Sequence, residues 1–139
     1  MTETQPAVLF VCSKNGGKSQ MAAALMRDLA GDKVAVYSAG TKPGENLNAQ
    51  SVESLTELGI GVGHEHPKPV TPELLDSVDT VIVLGTEAKM DPPAGKRFEV
   101  WETDEPSTRG IEGMERMRLV RDDIRERVGK LYSELTSTF

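Results

Sequence analysis

The most chemically loaded stretch of the chain is V-L-F-V-C-S-K-N-G-G-K-S-Q-M, residues 8–21, which carries Cys12, the only cysteine in the sequence. Cys12 ends an apolar run and just precedes a helix start, where backbone N–H groups and the helix dipole favour a thiolate over the neutral thiol. Such a sulfur is a nucleophile. Five residues separate it from Lys18, a spacing that lets one loop wrap a tetrahedral oxyanion while the sulfur points at the central atom. Gly16 and Gly17 remove side chains where the backbone must approach that anion. A blander reading makes Cys12 a small core residue, since free cysteine is among the most buried residue types. A third notes that the same letters nearly spell the P-loop G-x-x-x-x-G-K-[ST], with Cys12 standing where glycine is required.

Whatever its chemistry, this loop needs a strand before it and a helix after it. Residues 7–11 form a continuous apolar run, as expected of a strand buried on both faces of a parallel sheet. Ser19 is placed to cap a helix in which Met21, Leu25 and Leu29 fall four apart, and Gly31 ends it. A second strand is expected at 34–37, broken by the turn formers of S-A-G-T-K-P-G at 38–44. A helix follows over 47–58, with Val52, Leu55 and Leu58 on one face and Gly59 at its end. Residues 61–70 read as an irregular connection. Thr71-Pro72 is an N-cap followed by proline at the first helical position, opening a short helix through Leu75. Strands are expected at 80–84 and 98–101, separated by a loop over 85–96 with room for a short helical turn. From 111 to 135 apolar residues recur at spacings of three and four, the pattern of one long amphipathic helix. Alternating strands and helices imply right-handed crossovers and a small four-stranded parallel sheet with helices on both faces. Ligands of such sheets sit beyond the carboxyl ends of the strands.

The 139 residues have the size of one domain, expected to span 1–139, and a hydrophobic share of 37% fits a globular chain. Net charge is −6, which argues against a nucleic-acid surface. No apolar run reaches membrane-spanning length, and M-T-E-T-Q-P lacks signal-peptide character, so a cytoplasmic location is expected. An anionic small substrate remains open if local donors overcome the global sign, and Lys14, Lys18 and the loop's N–H groups are such donors. A lone cysteine excludes an intramolecular disulfide. His64 and His66, spaced by one residue with no other dedicated ligands nearby, read as loop polar groups, and no metal is assigned.

C-S-K-N-G-G-K-S resembles the C-x-x-N-x-x-R-S loop of the low-molecular-weight tyrosine phosphatase superfamily, which includes one class of arsenate reductases. S-A-G-T at 38–41, L-G-I at 58–60 with P-K-P at 67–69, V-D-T-V-I-V-L-G at 78–85, and W-E-T-D-E-P at 101–106 with the following R-D-D-I-R-E-R-V helix are similar to further stretches of that family, in order and over nearly the whole chain. The resemblance implies the flavodoxin-like three-layer fold of that family. It implies that Cys12 is the nucleophile, that Ser13, Lys14, Asn15, Gly16, Gly17, Lys18 and Ser19 bind the oxyanion, that Asn15 braces the loop, and that the Ser19 hydroxyl hydrogen-bonds the Cys12 sulfur. Ser19 as a mere helix cap and Asn15 as a left-handed turn residue stay open as alternatives. The residue before the proline in the acid loop is Glu105, with Asp104 one place earlier, and both are candidate acids. Lys68, between Pro67 and Pro69, is either a substrate-neutralising cation or an exposed lysine on a stiff connector.

Three departures from the family pattern direct the functional expectation. Lys18 stands where the phosphatases have arginine, giving a point charge in place of a two-pronged fork. Pro106 is followed by Ser107 and not by the aromatic residue of the tyrosine phosphatases. Thr86 and Met90 stand in the loop where self-resolving arsenate reductases carry further cysteines. Within the superfamily the chain is most similar to the arsenate-mycothiol transferases. That resemblance implies arsenate and mycothiol as substrates, no bound cofactor, and a glutaredoxin-like redoxin (mycoredoxin) that later releases arsenite. A tyrosine phosphatase and a P-loop-like nucleotide binder are the alternatives. The latter needs an acid at the end of a later strand to handle magnesium, whereas Asp79 begins the third strand.

Overall fold

The computed structural model describes residues 5–137. Met1–Thr4, part of the stretch read above as lacking signal-peptide character, lie outside the described residues. Strand β1 (Ala7–Cys12) leads through the cysteine loop into α1 (Lys18–Ala30), followed by β2 (Ala35–Gly40), α2 (Ala49–Thr56), α3 (Pro72–Asp76), β3 (Thr80–Leu84), β4 (Arg97–Trp101), a 3-10 turn (Pro106–Arg109) and the long α4 (Gly113–Leu135). The four strands are parallel and lie in the order β2-β1-β3-β4. The order reverses beside β1, so the cysteine loop leaves the sheet at its topological switch point.

β1 and β3 are buried along their whole length, as their unbroken apolar sequences require. Their side chains divide between two cores. Val8, Phe10, Ile82 and Leu84 face α1, α2 and α4, meeting Met21, Met26, Leu55 and Ile124, all of them fully buried. Leu9, Val11, Val81 and Val83 face the other way, toward Leu74 and Leu75 of α3 and toward Met90 and Phe98. Helices therefore do occupy both faces, but unequally: one face carries three helices and the other only the five-residue α3 with the irregular segment 85–96.

Several boundaries differ from the sequence expectation. Ser38, Ala39 and Gly40 continue β2 and do not break it, because they pair with Phe10, Val11 and Cys12 of β1; sheet pairing overrides their turn propensity. Leu29 is 48% exposed, on the solvent side of α1, while Ala30 beside it is buried in the core. Ser19 lies inside α1, whose N-cap is Gly17 with no side-chain cap. The second helix is shorter than 47–58 because Asn48 caps it, accepting a hydrogen bond from Ser51 N. Thr71 caps α3 with proline at the first turn, as read. No helical turn forms within 85–96, and Ile111 precedes α4. No helix among the described residues is long and apolar enough to cross a membrane.

Candidate functional site: an oxyanion loop around Cys12

Cys12 is the last residue of β1 and only 9% exposed. Two donors converge on its sulfur. The Asn15 N–H reaches Sγ at 3.2 Å, and Ser19 Oγ lies 2.9 Å away. Ser19 Oγ also accepts from Asn15 Nδ2 at 2.7 Å, which leaves its own proton free to point at the sulfur. The Asn15 amide is oriented in turn, because its Oδ1 accepts from Lys68 N at 3.0 Å and Gln20 Nε2 at 3.2 Å. Asn15 adopts φ 55°, a left-handed conformation asparagine tolerates. Both sequence readings of Asn15 therefore hold together: it makes the turn and braces it. Ser19 is a partner of the sulfur and not a cap.

The loop's carbonyls are fastened outward. Cys12 O accepts from Thr41 N (3.1 Å), Ser13 O from Lys42 N (2.8 Å), Lys14 O from Gly44 N (2.9 Å) and Gly16 O from Asn48 N (2.7 Å). Asn15 O is taken by Gln20 Nε2 at 3.2 Å. Among the described residues no acceptor engages the N–H groups of Lys14, Gly16 or Gly17. Carbonyls out and N–H groups free is the polarity of an anion nest at a helix N-terminus.

Two glycines set how closely the layers approach. A Cβ on Gly40 would meet Ser13 O at 2.6 Å, and one on Gly16 would meet Asn46 O at 2.9 Å. Gly16 is thus required at least by the neighbouring backbone, a reason the sequence reading did not supply.

The charged candidates separate clearly. Lys18 Nζ donates to the Glu105 carboxylate, which brings the acid loop onto the cysteine loop. Asp104 is instead clasped by both terminal nitrogens of Arg109, at 2.8 and 3.1 Å. The Arg109 hydrogen bonds hold its carboxyl below the ordinary carboxylate range and turn it to Arg109, whereas Glu105 is the acid that meets the cysteine loop. Lys68 turns its ammonium to Glu65 Oε1 (2.9 Å) and His66 O (3.0 Å), so what it gives the loop is its backbone N–H on Asn15. Asp79 sits at the far end of the sheet, accepting from Ala7 N at 3.1 Å, away from any phosphate the loop could hold.

Sequence reasoning missed Gln20, Arg109 and Gly40. Gln20 is 2% exposed and bridges Asn15 to His66 O. Its signal was a polar residue on the buried face of a helix, directly beside Ser19. Gly85, with φ +85°, ends β3 against Lys18: a Cβ there would lie 3.5 Å from Nζ.

Taken together, a sulfur with two donors, a nest of free N–H groups, an ammonium and a facing carboxylate can bind a tetrahedral oxyanion and exchange a ligand at its central atom.

Residues 7–138 match the family model described as low molecular weight phosphotyrosine protein phosphatase. An arsenate reductase of Bacillus licheniformis is 34% identical over 134 residues, covering 90% of this chain and 94% of that protein. A glutaredoxin arsenate reductase of Synechocystis is 29% identical over 132 residues, covering 93% and 98%. The solved thioredoxin-dependent arsenate reductase of Corynebacterium glutamicum superposes with a TM-score of 0.81 at 30% identity, covering 97% of this chain; this chain spans only 64% of that one.

Proposed function

The chain belongs to the low molecular weight phosphotyrosine protein phosphatase family, and from that premise we propose that it is an arsenate reductase of the thiol-transferase type, which hands arsenic to mycothiol. One observation carries the reading. The only cysteine of the sequence stands in the oxyanion loop, so the chain holds no second thiol with which to resolve an arsenic adduct.

Arsenate occupies the N–H nest with Lys18 against its charge. The Cys12 sulfur attacks arsenic while one As–O bond breaks, and the hydroxyl leaves as water with a proton routed through Glu105. The mycothiol sulfur then takes the arsenic, and Ser19 and the Asn15 N–H support the Cys12 thiolate as it departs. The sum is a condensation: the thiol hydrogen and one arsenate hydroxyl leave as water, and arsenic stays in its pentavalent state. A glutaredoxin-like redoxin completes the cycle elsewhere. Its thiolate attacks the mycothiol sulfur, the S–As electron pair stays on arsenic, and arsenite departs as a mixed disulfide forms. Arsenate and mycothiol are substrates in this scheme, and no bound cofactor is needed. Such chemistry belongs in a reducing compartment, hence the cytoplasm.

Arsenate consumption is to be measured with mycothiol plus its redoxin, with glutathione plus glutaredoxin, and with thioredoxin alone. Mycothiol with its redoxin is expected to be fastest. Equal rates with thioredoxin alone would overturn the reading, as would aryl-phosphate hydrolysis faster than any thiol-dependent arsenate turnover.

A further inference from the structure

A cleft of about 650 Å³ lies between the 85–92 segment and β4. Val83, Ala88, Met90, Phe98 and Val100 give it an apolar floor, on the face of the sheet that lacks long helices. Val100 is 52% exposed although it belongs to a strand. The volume falls in the range of small-ligand sites, roughly 300–1,000 Å³. Gly85 lines this cleft, and a Cβ placed on it would lie 3.5 Å from Lys18 Nζ, so the cleft reaches the neighbourhood of that ammonium. The Gly85 N–H donates to Trp101 O at 2.9 Å, fixing this residue against the strand that leads into the acid loop. A molecule lying along the cleft thus extends directly toward the oxyanion site.

We propose that this cleft seats the body of the thiol co-substrate, and that it selects a neutral, hydroxyl-rich thiol over an anionic one. The proposal rests on the thiol-transferase reading above. Its selectivity follows from the rim, where Lys89 is outnumbered by Asp91 and Glu102, none of which forms an ion pair among the described residues. Two carboxylates against one ammonium repel a thiol of net negative charge, such as glutathione. Hydroxyls of a sugar-bearing thiol can instead donate to both carboxylates, and its carbon skeleton can cover the apolar floor.

The test separates the cleft from the chemistry. Binding of S-methyl mycothiol, which cannot react, is to be measured by calorimetry on the wild type, on Val100→Trp, which fills the cleft, and on Asp91→Lys/Glu102→Lys, which inverts the rim. Steady-state kinetics on the same proteins read the two substrates separately. Val100→Trp is expected to weaken binding and raise the KM for mycothiol by about tenfold or more while the KM for arsenate stays within about twofold. The rim variant is expected to shift kcat/KM toward glutathione by about tenfold. Melting temperatures check that each variant folds, and Met90→Trp replaces Val100→Trp if it does not. Failure of S-methyl mycothiol to bind, or binding and KM unmoved by filling the cleft, would sink the proposal. Impaired use of the redoxin with mycothiol binding intact would reassign the cleft to that protein. If mycothiol supports no arsenate turnover in the wild type while thioredoxin does, the thiol-transferase reading itself fails, an outcome distinct from a mycothiol-dependent enzyme indifferent to Val100→Trp.

Discussion

Two loops leave the carboxyl ends of the two central strands, and they are built on opposite plans. The loop after β1 has every carbonyl from Cys12 to Gly16 bound by another part of the chain. The segment after β3 is held at its start by the Gly85–Trp101 bond. Beyond that point, Ala88 and Met90 are pressed into the second core, and the Lys96 ammonium donates to Val78 O at 2.6 Å. One loop is fixed by its backbone, the other by its side chains. A nucleophile must be held to a fraction of an ångström, so its loop is overdetermined. The surface proposed to receive the co-substrate would need only shape and charge, which a segment tied down at few points can supply.

Breaking the first loop at its nucleophile should give the largest effect. Cys12→Ser is expected to lower arsenate turnover with any thiol at least about 10⁴-fold, with an unchanged circular dichroism spectrum. Measurable turnover would leave Cys12 without a catalytic role.

Next comes a change that disturbs the loop without touching its chemistry. Gly40→Ala drives a methyl group into Ser13 O, and the resulting overpacking should cost about 1–3 kcal/mol by urea denaturation and about a hundredfold in kcat through displaced geometry. By contrast Lys89→Ala, on the exposed part of the second segment, should leave stability within about 0.5 kcal/mol. Equal losses of stability at the two positions would erase the contrast between the loops.

Smaller still is Ser19→Ala, which removes one donor from the sulfur while the Asn15 N–H remains. Hydrogen bonds to charged groups are worth about 1.5–3 kcal/mol, so kcat should fall about tenfold to a hundredfold. Stability should fall by about 1–3 kcal/mol as well, because the buried Asn15 Nδ2 loses its acceptor. An equal loss in Thr86→Ala, in the second segment, would contradict the assignment.

The mildest test lies outside both loops. Glu57, past the end of α2, is hydrogen-bonded by Arg118 and Arg121 of α4, and the Arg118 bond foremost draws its pKa from 4.5 down to about 2. A carboxylate with a depressed folded pKa adds stability above its unfolded value, and that stability is lost as pH falls from about 4.5 toward 2. Glu57→Gln should therefore flatten the dependence of melting temperature on pH across that window and leave kcat/KM at neutral pH unchanged. A change in catalysis would mean that the α2–α4 clamp reaches the oxyanion loop, to which Asn48 already links it.

The sequence was most legible where local chemistry and tertiary context agree. Thr71-Pro72 is one such case, since capping and a fixed φ act within a single turn. The apolar runs of β1 and β3 are another, because burial on both faces leaves no alternation to misread. It was least legible where the deciding partner is distant in the chain. Ser38–Gly40 look like turn formers until β1 is laid beside them, and Gly16 owes its identity to Asn46. Which of Glu105 and Asp104 meets the cysteine loop depended on the arm each pairs with, Lys18 or Arg109. Lys68 kept its place near the loop but spends its charge on Glu65. The thinness of the second face was invisible too, because helix count says nothing about how helices are shared between faces.

The Lys18–Glu105 pair has one further consequence. It makes the loop an ion exchanger, whose resident counter-ion is part of the chain itself. The local concentration of that counter-ion is set by geometry and not by the surrounding solution. A simple halide offers a single acceptor centre to the nest and the ammonium together, and so has little with which to displace a tethered carboxylate. A tetrahedral oxyanion engages the N–H nest as well, and the displacement becomes favourable. In the function proposed above, the oxyanion substrate would thus be selected over background salt before any bond to sulfur forms.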